Sequence, residues 1–316
     1  MRKLKIPGTD IEISVISYGV ANFGTEVKGS DADRLVSEYL ASGGNILDTA
    51  HCYAFWEKDG LGASERELGA CIRRLGCRES VVIVTKGGHP DGGPDYPRPK
   101  EFLSEKTINS DIQESLDRLG FDSIDIYFLH RDDGHTPVSE IIGMMNSLVK
   151  TGRIRNFGAS NWSVERMEQA NRYAQDNGLM GFSISQVQWS LAKPDWKITP
   201  DPVNRFVSSS ELAYHSRTGM PLMAFSAAAC GYFAGKGFDT GMFACAENSK
   251  KYQRSFDLSL ELGCTPTQIA VSWLLHQPFP VIPLFSTGSM DHMREVMASE
   301  TVRLSPEQVG WLSASD

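Results

Sequence analysis

A chain of 316 residues that is 41% hydrophobic and 22% charged has the make-up of a globular protein with a real core. Its net charge of −8 argues against a nucleic-acid partner, because phosphate binding needs a basic face. No apolar run approaches a membrane span and the opening MRKLKIPGTD lacks a signal peptide's apolar stretch. The six cysteines form no CxxC and read as reduced thiols of a cytoplasmic protein with no metal site.

In chain order, residues 3–6 and 11–15 alternate around Pro7-Gly8-Thr9-Asp10, the signature of a turn between two short strands. After this hairpin one pattern repeats: an apolar, β-branched run ends in polar residues, then an amphipathic helical stretch follows. The predicted strands are 15–19, 45–48, 81–85, 125–129, 156–159, 184–188, 221–225 and 280–284. The predicted helices between and after them are 31–42, 65–75, 107–119, 138–150, 163–177, 208–218, 265–276 and 291–298. Gly43-Gly44, Gly76, Gly120 and Gly152 supply stop signals, and Pro266 sits at a first-turn position. Eight β-then-α units predict an α/β fold, a closed (β/α)8 TIM barrel with an N-terminal β-hairpin, as one domain over 1–316. The longest interruption, 227–264, holds the Gly-rich segment ACGYFAGKGFDTG and a further helical stretch at 249–262; a loop of that length is usually functional.

In such a barrel the chemistry sits at the C-terminal ends of the strands. There the sequence places Asp48 with Tyr53 five residues on, then Lys86, His130, Ser160-Asn161 and Gln186. A phenol is too weak an acid at neutral pH. An ammonium beside it stabilises the phenolate, and a carboxylate steadies the ammonium. Tyr53 with Lys86, Asp48 and a hydrogen-bonding His130 therefore suits proton transfer to and from a carbonyl oxygen. No GxGxxG opens a helix after a strand, so no Rossmann fingerprint is present. A phosphate-bearing cofactor is expected instead in the loops after the last two strands, around Ser226, Ala228 and Lys236 and around Ser286, Thr287 and Gly288, with the helix start near Asp291 offering N–H donors.

The segments LDTAHCY, GASERELG, VTKGG, IYFLHRDD and GRIRNFGASNWS, in that order, resemble those of the aldo-keto reductases over essentially the whole length. The resemblance implies a nicotinamide cofactor and assigns Tyr53, Asp48, Lys86 and His130 to the catalytic tetrad. It implies carboxamide contacts from Ser160, Asn161 and Gln186, ring stacking from Phe225, and pyrophosphate contacts from Ser226, Ala228 and Lys236. Ser286, Thr287, Gly288, His292 and Glu295 fall where relatives hold the adenosine end. Cations that serve a 2′-phosphate in many relatives are replaced here by Ser286, Thr287 and Gly288, so NADP(H) is placed only narrowly ahead of NAD(H). Phe23, Trp56, His89, Arg131, Trp162, Trp189 and Tyr232 are expected to line the substrate pocket. The expected partner is a sugar-like or other small aldehyde, ketone or alcohol, with no nucleic acid or membrane; the oligomeric state is left open. Two alternatives stand beside this reading. One is a redox-neutral dehydratase or epimerase that retains its nucleotide. The other is a nucleotide-binding regulatory subunit, for which ACGYFAGK resembles a loop of potassium-channel β subunits. The chain stops soon after a last helical turn, SPEQVGWLSASD, where many relatives carry a longer loop over the pocket, so the resemblance implies either a more open pocket or one covered by another subunit.

Overall fold

The computed structural model describes residues 1–197, 204–236 and 241–314. Strands β1 (Lys3–Lys5) and β2 (Glu12–Ser14) pair antiparallel, Leu4 facing Ile13, as the turn chemistry at Pro7–Asp10 requires. The chain then runs β3 (Ser17–Gly19), α1 (Ser30–Ala41), β4 (Ile46–Asp48), α2 (Ala63–Leu75), β5 (Val82–Gly87), α3 (Glu105–Leu119), β6 (Ile124–Leu129) and α4 (Val138–Lys150). It continues through β7 (Ile154–Ser160), α5 (Val164–Asp176), β8 (Ser185–Gln188), α6 (Ser209–Thr218) and β9 (Leu222–Phe225). After β9 come α7 (Ala246–Leu262), α8 (Pro266–Leu275), β10 (Val281–Ser286), α9 (Met290–Ala298) and α10 (Pro306–Ser313). Strands β3 to β10 close in sequence order into one all-parallel barrel, with β10 hydrogen-bonded back to β3.

Local signals set many of the boundaries. Ser104, Ser163, Ser208, Thr265 and Ser305 each accept a hydrogen bond from the backbone N–H three residues on, satisfying helix donors that have no intrahelical partner. Gly76, Gly120, Gly219 and Gly263 end helices with positive φ, a conformation that costs a residue without Cβ little. Several elements differ from expectation at their edges. Helix α2 begins two residues early, so Glu65 lies inside its first turn; α7 begins at Ala246, and the last turn is a full helix, α10. Residues 237–240 of the Gly-rich segment lie outside the described residues.

The hairpin has a structural task. Ile6, Ile11 and Ile13 pack with Ile46, Val82, Val84, Ile126, Phe128, Ile184, Met223 and Ile282 in one buried cluster inside the barrel. This closes the end where the strands begin. Polar groups at the other end, where the strands finish, face the one mouth left open.

Candidate active site

Strand alternation decides which side chains enter the barrel. Ile46, Val82, Val84, Ile126 and Phe128 point inward, so the residues two positions further along these strands, Asp48, Lys86 and His130, point inward too. Asp48 and Lys86 are fully buried and His130 nearly so. The Lys86 ammonium donates to Asp48 Oδ1 at 2.6 Å, to the Thr49 carbonyl at 2.8 Å and to Tyr53 Oη at 3.0 Å. These three bonds use all three of its N–H groups. From the far side of the barrel Gln186 Nε2 donates to Asp48 Oδ2 at 2.9 Å. The four tetrad candidates and Gln186 thus meet at one point, with the Tyr53 and His130 rings 6.1 Å apart.

The electrostatics refine the expectation for the phenol. Burial raises the Tyr53 pKa above the ordinary phenol value, and Lys86 only opposes that rise; the net lowering expected from the sequence is not what this site produces. Tyr53 is a neutral phenol whose oxygen accepts from Lys86, which leaves its own O–H to donate elsewhere. Burial, aided by Arg131 and His89, holds His130 well below the usual imidazole range. The ring is therefore neutral, with one N–H to donate.

The loop carrying Tyr53 is pinned from behind. His51 N–H donates to the Lys86 carbonyl at 2.8 Å and Gly62 N–H to the Tyr53 carbonyl at 3.3 Å. Arg118 Nη1 reaches the His51 carbonyl at 3.0 Å and buried Glu65 at 3.1 Å, and Thr85 Oγ1 donates to Glu65 at 2.7 Å. His51 itself contacts Tyr96 Oη and Glu114 at 2.9 and 3.0 Å. Sequence reasoning missed this support because its members come from α2, β5 and α3. The one available signal was Glu65, which the GASERELG segment places at the start of a helix.

Beside Tyr53 and Asp48 opens a cavity of about 410 Å³. Of the cofactor candidates, Phe225, Ser226, Ala228, Lys236, Ser286, Thr287 and His292 line it, as do Gly19, Cys230 and Gly231. His292 Nε2 is buried without a hydrogen-bond partner among the described residues. An orphaned polar atom, a lysine and two hydroxyls on one wall are a donor set that fits a phosphate. Ser226 holds φ at 56° and Asn161 at 59°, strained values at a strand end, where such strain tends to gather in functional sites. Ser160 and Asn161 bond to each other at 3.0 Å and, with Gln186, stand outside the cavity lining. So do Gly288 and Glu295; Glu295 accepts instead from Thr265 Oγ1 at 2.6 Å, tying α9 to the cap of α8. A larger hollow of about 690 Å³, lined by Glu26, Lys28, Glu57, Lys58 and Arg66 among others, includes none of the tetrad residues.

Four of the residues expected on the substrate wall are buried in the packing. Phe23 is fully buried against Tyr18. Trp162 packs edge-on to Phe182 under the Arg166 guanidinium. Trp189 stacks on Phe279 beside Trp273, and Tyr232 lies buried with Phe233 and Phe243. Large rings at these places fill out the hydrophobic core and are almost wholly buried. Trp56 does remain at the mouth, 57% exposed and 6.3 Å from the Tyr53 ring. Arg131 donates to the His130 carbonyl at 2.7 Å and to Asn204 at 2.8 Å, while Asp132 pairs with Arg166.

The model of the aldo/keto reductase family matches residues 15–316. The chain is 27% identical over 309 residues to the uncharacterized oxidoreductase YrpG of Bacillus subtilis (strain 168), covering 95% of this chain and 91% of that protein. Its fold is similar to a crystal structure of a thermostable aldo-keto reductase, Tm1743, in complex with the inhibitor epalrestat. The TM-score is 0.75, with 22% identity and 99% of each chain covered.

Proposed function

Since the chain belongs to the aldo/keto reductase family, we propose that it interconverts a small aldehyde or ketone and its alcohol with a nicotinamide cofactor, Tyr53 moving the proton. The observation that carries this reading is the Lys86 ammonium, whose three N–H groups go to Asp48, Thr49 and the Tyr53 oxygen. Donation into Tyr53 Oη leaves the phenol O–H directed at a carbonyl oxygen in reduction. As that proton leaves, the phenolate is met at 3.0 Å by a positive charge. His130, neutral and 6.1 Å away ring to ring, donates to the same carbonyl oxygen and orients it. In oxidation the phenolate takes the alcohol proton back.

When bound, the nicotinamide supplies or accepts the hydride. Phe225, Ser226, Ala228, Lys236, Ser286, Thr287 and His292 would hold it along the cavity wall, with Ser160, Asn161 and Gln186 at its carboxamide. The lysine and the orphaned His292 nitrogen support NADP(H) ahead of NAD(H). Trp56, His89 and Arg131 are the substrate contacts that remain, and they suit a substrate with a flat face or an anionic group. The six free thiols favour a reducing compartment, the cytoplasm. No helix among the described residues is long and apolar enough to cross a membrane.

The test is Tyr53→Phe. Turnover of a carbonyl substrate should fall by about 10² to 10⁴ while NADPH still quenches tryptophan fluorescence. Unchanged turnover would sink the proton-transfer assignment. NADPH and NADH titrated in parallel read the cofactor preference, and no binding of either would remove the cofactor-dependent reading altogether.

A further inference from the structure

Against the tetrad, three ligand atoms converge: one is on His130, whose ring the proposed function already uses, and two, on Cys52 and His89, are left unused by the proton transfer. Cys52 Sγ lies 3.5 Å from His130 Nδ1, and the ligand atoms of Cys52, His89 and His130 all lie within 4.8 Å of one another. A tetrahedral zinc ion with Zn–S of about 2.3 Å and Zn–N of about 2.0–2.1 Å places a sulfur and a nitrogen ligand about 3.5 Å apart. The Cys52–His130 pair already has that separation. His89 is half-buried, and its ring stands 4.9 Å from the His130 ring, centroid to centroid. Its Nδ1 faces the Pro90 carbonyl at 2.9 Å. A carbonyl only accepts, so Nδ1 carries the hydrogen and Nε2 keeps its lone pair. Metal-binding histidines are held in this way by a backbone carbonyl.

We propose that Cys52, His89 and His130 form a binding site for a soft divalent cation such as Zn²⁺, and that filling it switches the enzyme off reversibly. Binding forms an S–metal bond and releases the thiol proton to solvent, with no change of oxidation state. The metal must displace that proton itself, since burial outweighs the nearby Lys86 and Arg131 cations and keeps the thiol protonated. Three protein ligands leave a fourth coordination position open. The inhibitory half of the proposal rests on the role given to His130 under the proposed function: a ring ligated at Nδ1 and drawn towards Cys52 and His89 no longer holds its place against the carbonyl. The cysteine spacings show nothing of this, because the ligands come from the ends of three different strands.

Cobalt reads the site without any turnover. The full-length protein in metal-free buffer, titrated with Co²⁺, should develop visible bands of a tetrahedral ion and a near-ultraviolet thiolate-to-cobalt band, both erased by Zn²⁺. Cys52→Ala should abolish the thiolate band, and His89→Gln should weaken Co²⁺ binding by about tenfold or more. Cys52→Ser serves as the second variant if removal of the thiol impairs folding. Absence of the thiolate band, or its survival in both Cys52 variants, would overturn the site. In activity assays Zn²⁺ should inhibit the parent protein, chelator should restore it, and His89→Gln should need about ten times more Zn²⁺ for the same fractional inhibition. A site that fills with cobalt while Zn²⁺ leaves turnover untouched would overturn the inhibitory half and, with it, the orienting role of His130.

Discussion

At the residue scale, the most exposed assumption is the buried ion pair. Lys86 and Asp48 sit wholly out of water, where an unpaired charge is expensive and a satisfied one is tolerable. Asp48→Ala removes the strongest partner of the ammonium and should lower the free energy of unfolding by about 3–5 kcal/mol in urea denaturation. The double variant Asp48→Ala with Lys86→Met should be more stable than the single one, because no uncompensated charge remains inside. A single-variant loss below about 1 kcal/mol would mean that water reaches Lys86 as it reaches a surface pair. The four residues proposed as the tetrad were legible as neighbours, because Asp48, Lys86 and His130 each end an apolar run and Tyr53 stands five residues after Asp48. The partners of Tyr53 were legible in kind and not in effect. Burial outweighs the ammonium in setting its pKa, and burial is a property of the folded surroundings.

At the element scale, small residues mark where helices approach one another closely. A Cβ on Gly69 in α2 would stand 2.1 Å from the Leu119 carbonyl oxygen at the end of α3. Gly69→Ala should therefore force the two helices apart and destabilise the protein by about 1–3 kcal/mol. Gly143 in α4 is the contrast, since a Cβ there meets nothing within 4 Å. Gly143→Ala should stabilise by about 0.5–1 kcal/mol, the helix propensity gained. Paired thermal denaturation of the two variants checks both, and equal effects would refute the packing account. The sequence showed both glycines inside helical patterns and gave no means of telling them apart. The difference lies in what stands across the interface, which is not local. The aromatic residues behave alike: Trp162 and Trp189 follow strand ends as Trp56 follows a strand loop, yet only Trp56 stays at the mouth.

At the scale of the whole molecule, the loop bearing Tyr53 is joined to α2, β5 and α3 by a network of charges, and acid should loosen it. Hydrogen bonding to His51, opposed by burial and helped by Arg118, lowers the Glu114 pKa from 4.5 to about 2. A carboxylate with a depressed folded pKa adds stability that is fully present above about 4.5 and is lost as pH falls towards about 2. Glu114→Gln should thus lower stability at neutral pH and flatten its decline within that window. The effect should be no more than about 1 kcal/mol, because the side chain is 44% exposed and water screens it. Chemical denaturation at several pH values measures it, and parallel pH profiles for the parent and the variant would refute the linkage. The sequence by itself determined the eight β-then-α units, the N-terminal hairpin and the placement of Asp48, Lys86 and His130 at strand ends. These follow from side-chain periodicity and turn chemistry, which act over a few residues. Only the tertiary structure decided which rings the core absorbs, which groups brace the Tyr53 loop, and that Cys52, His89 and His130 meet. Barrel closure brings together residues far apart in the chain, and no local pattern records how near they come.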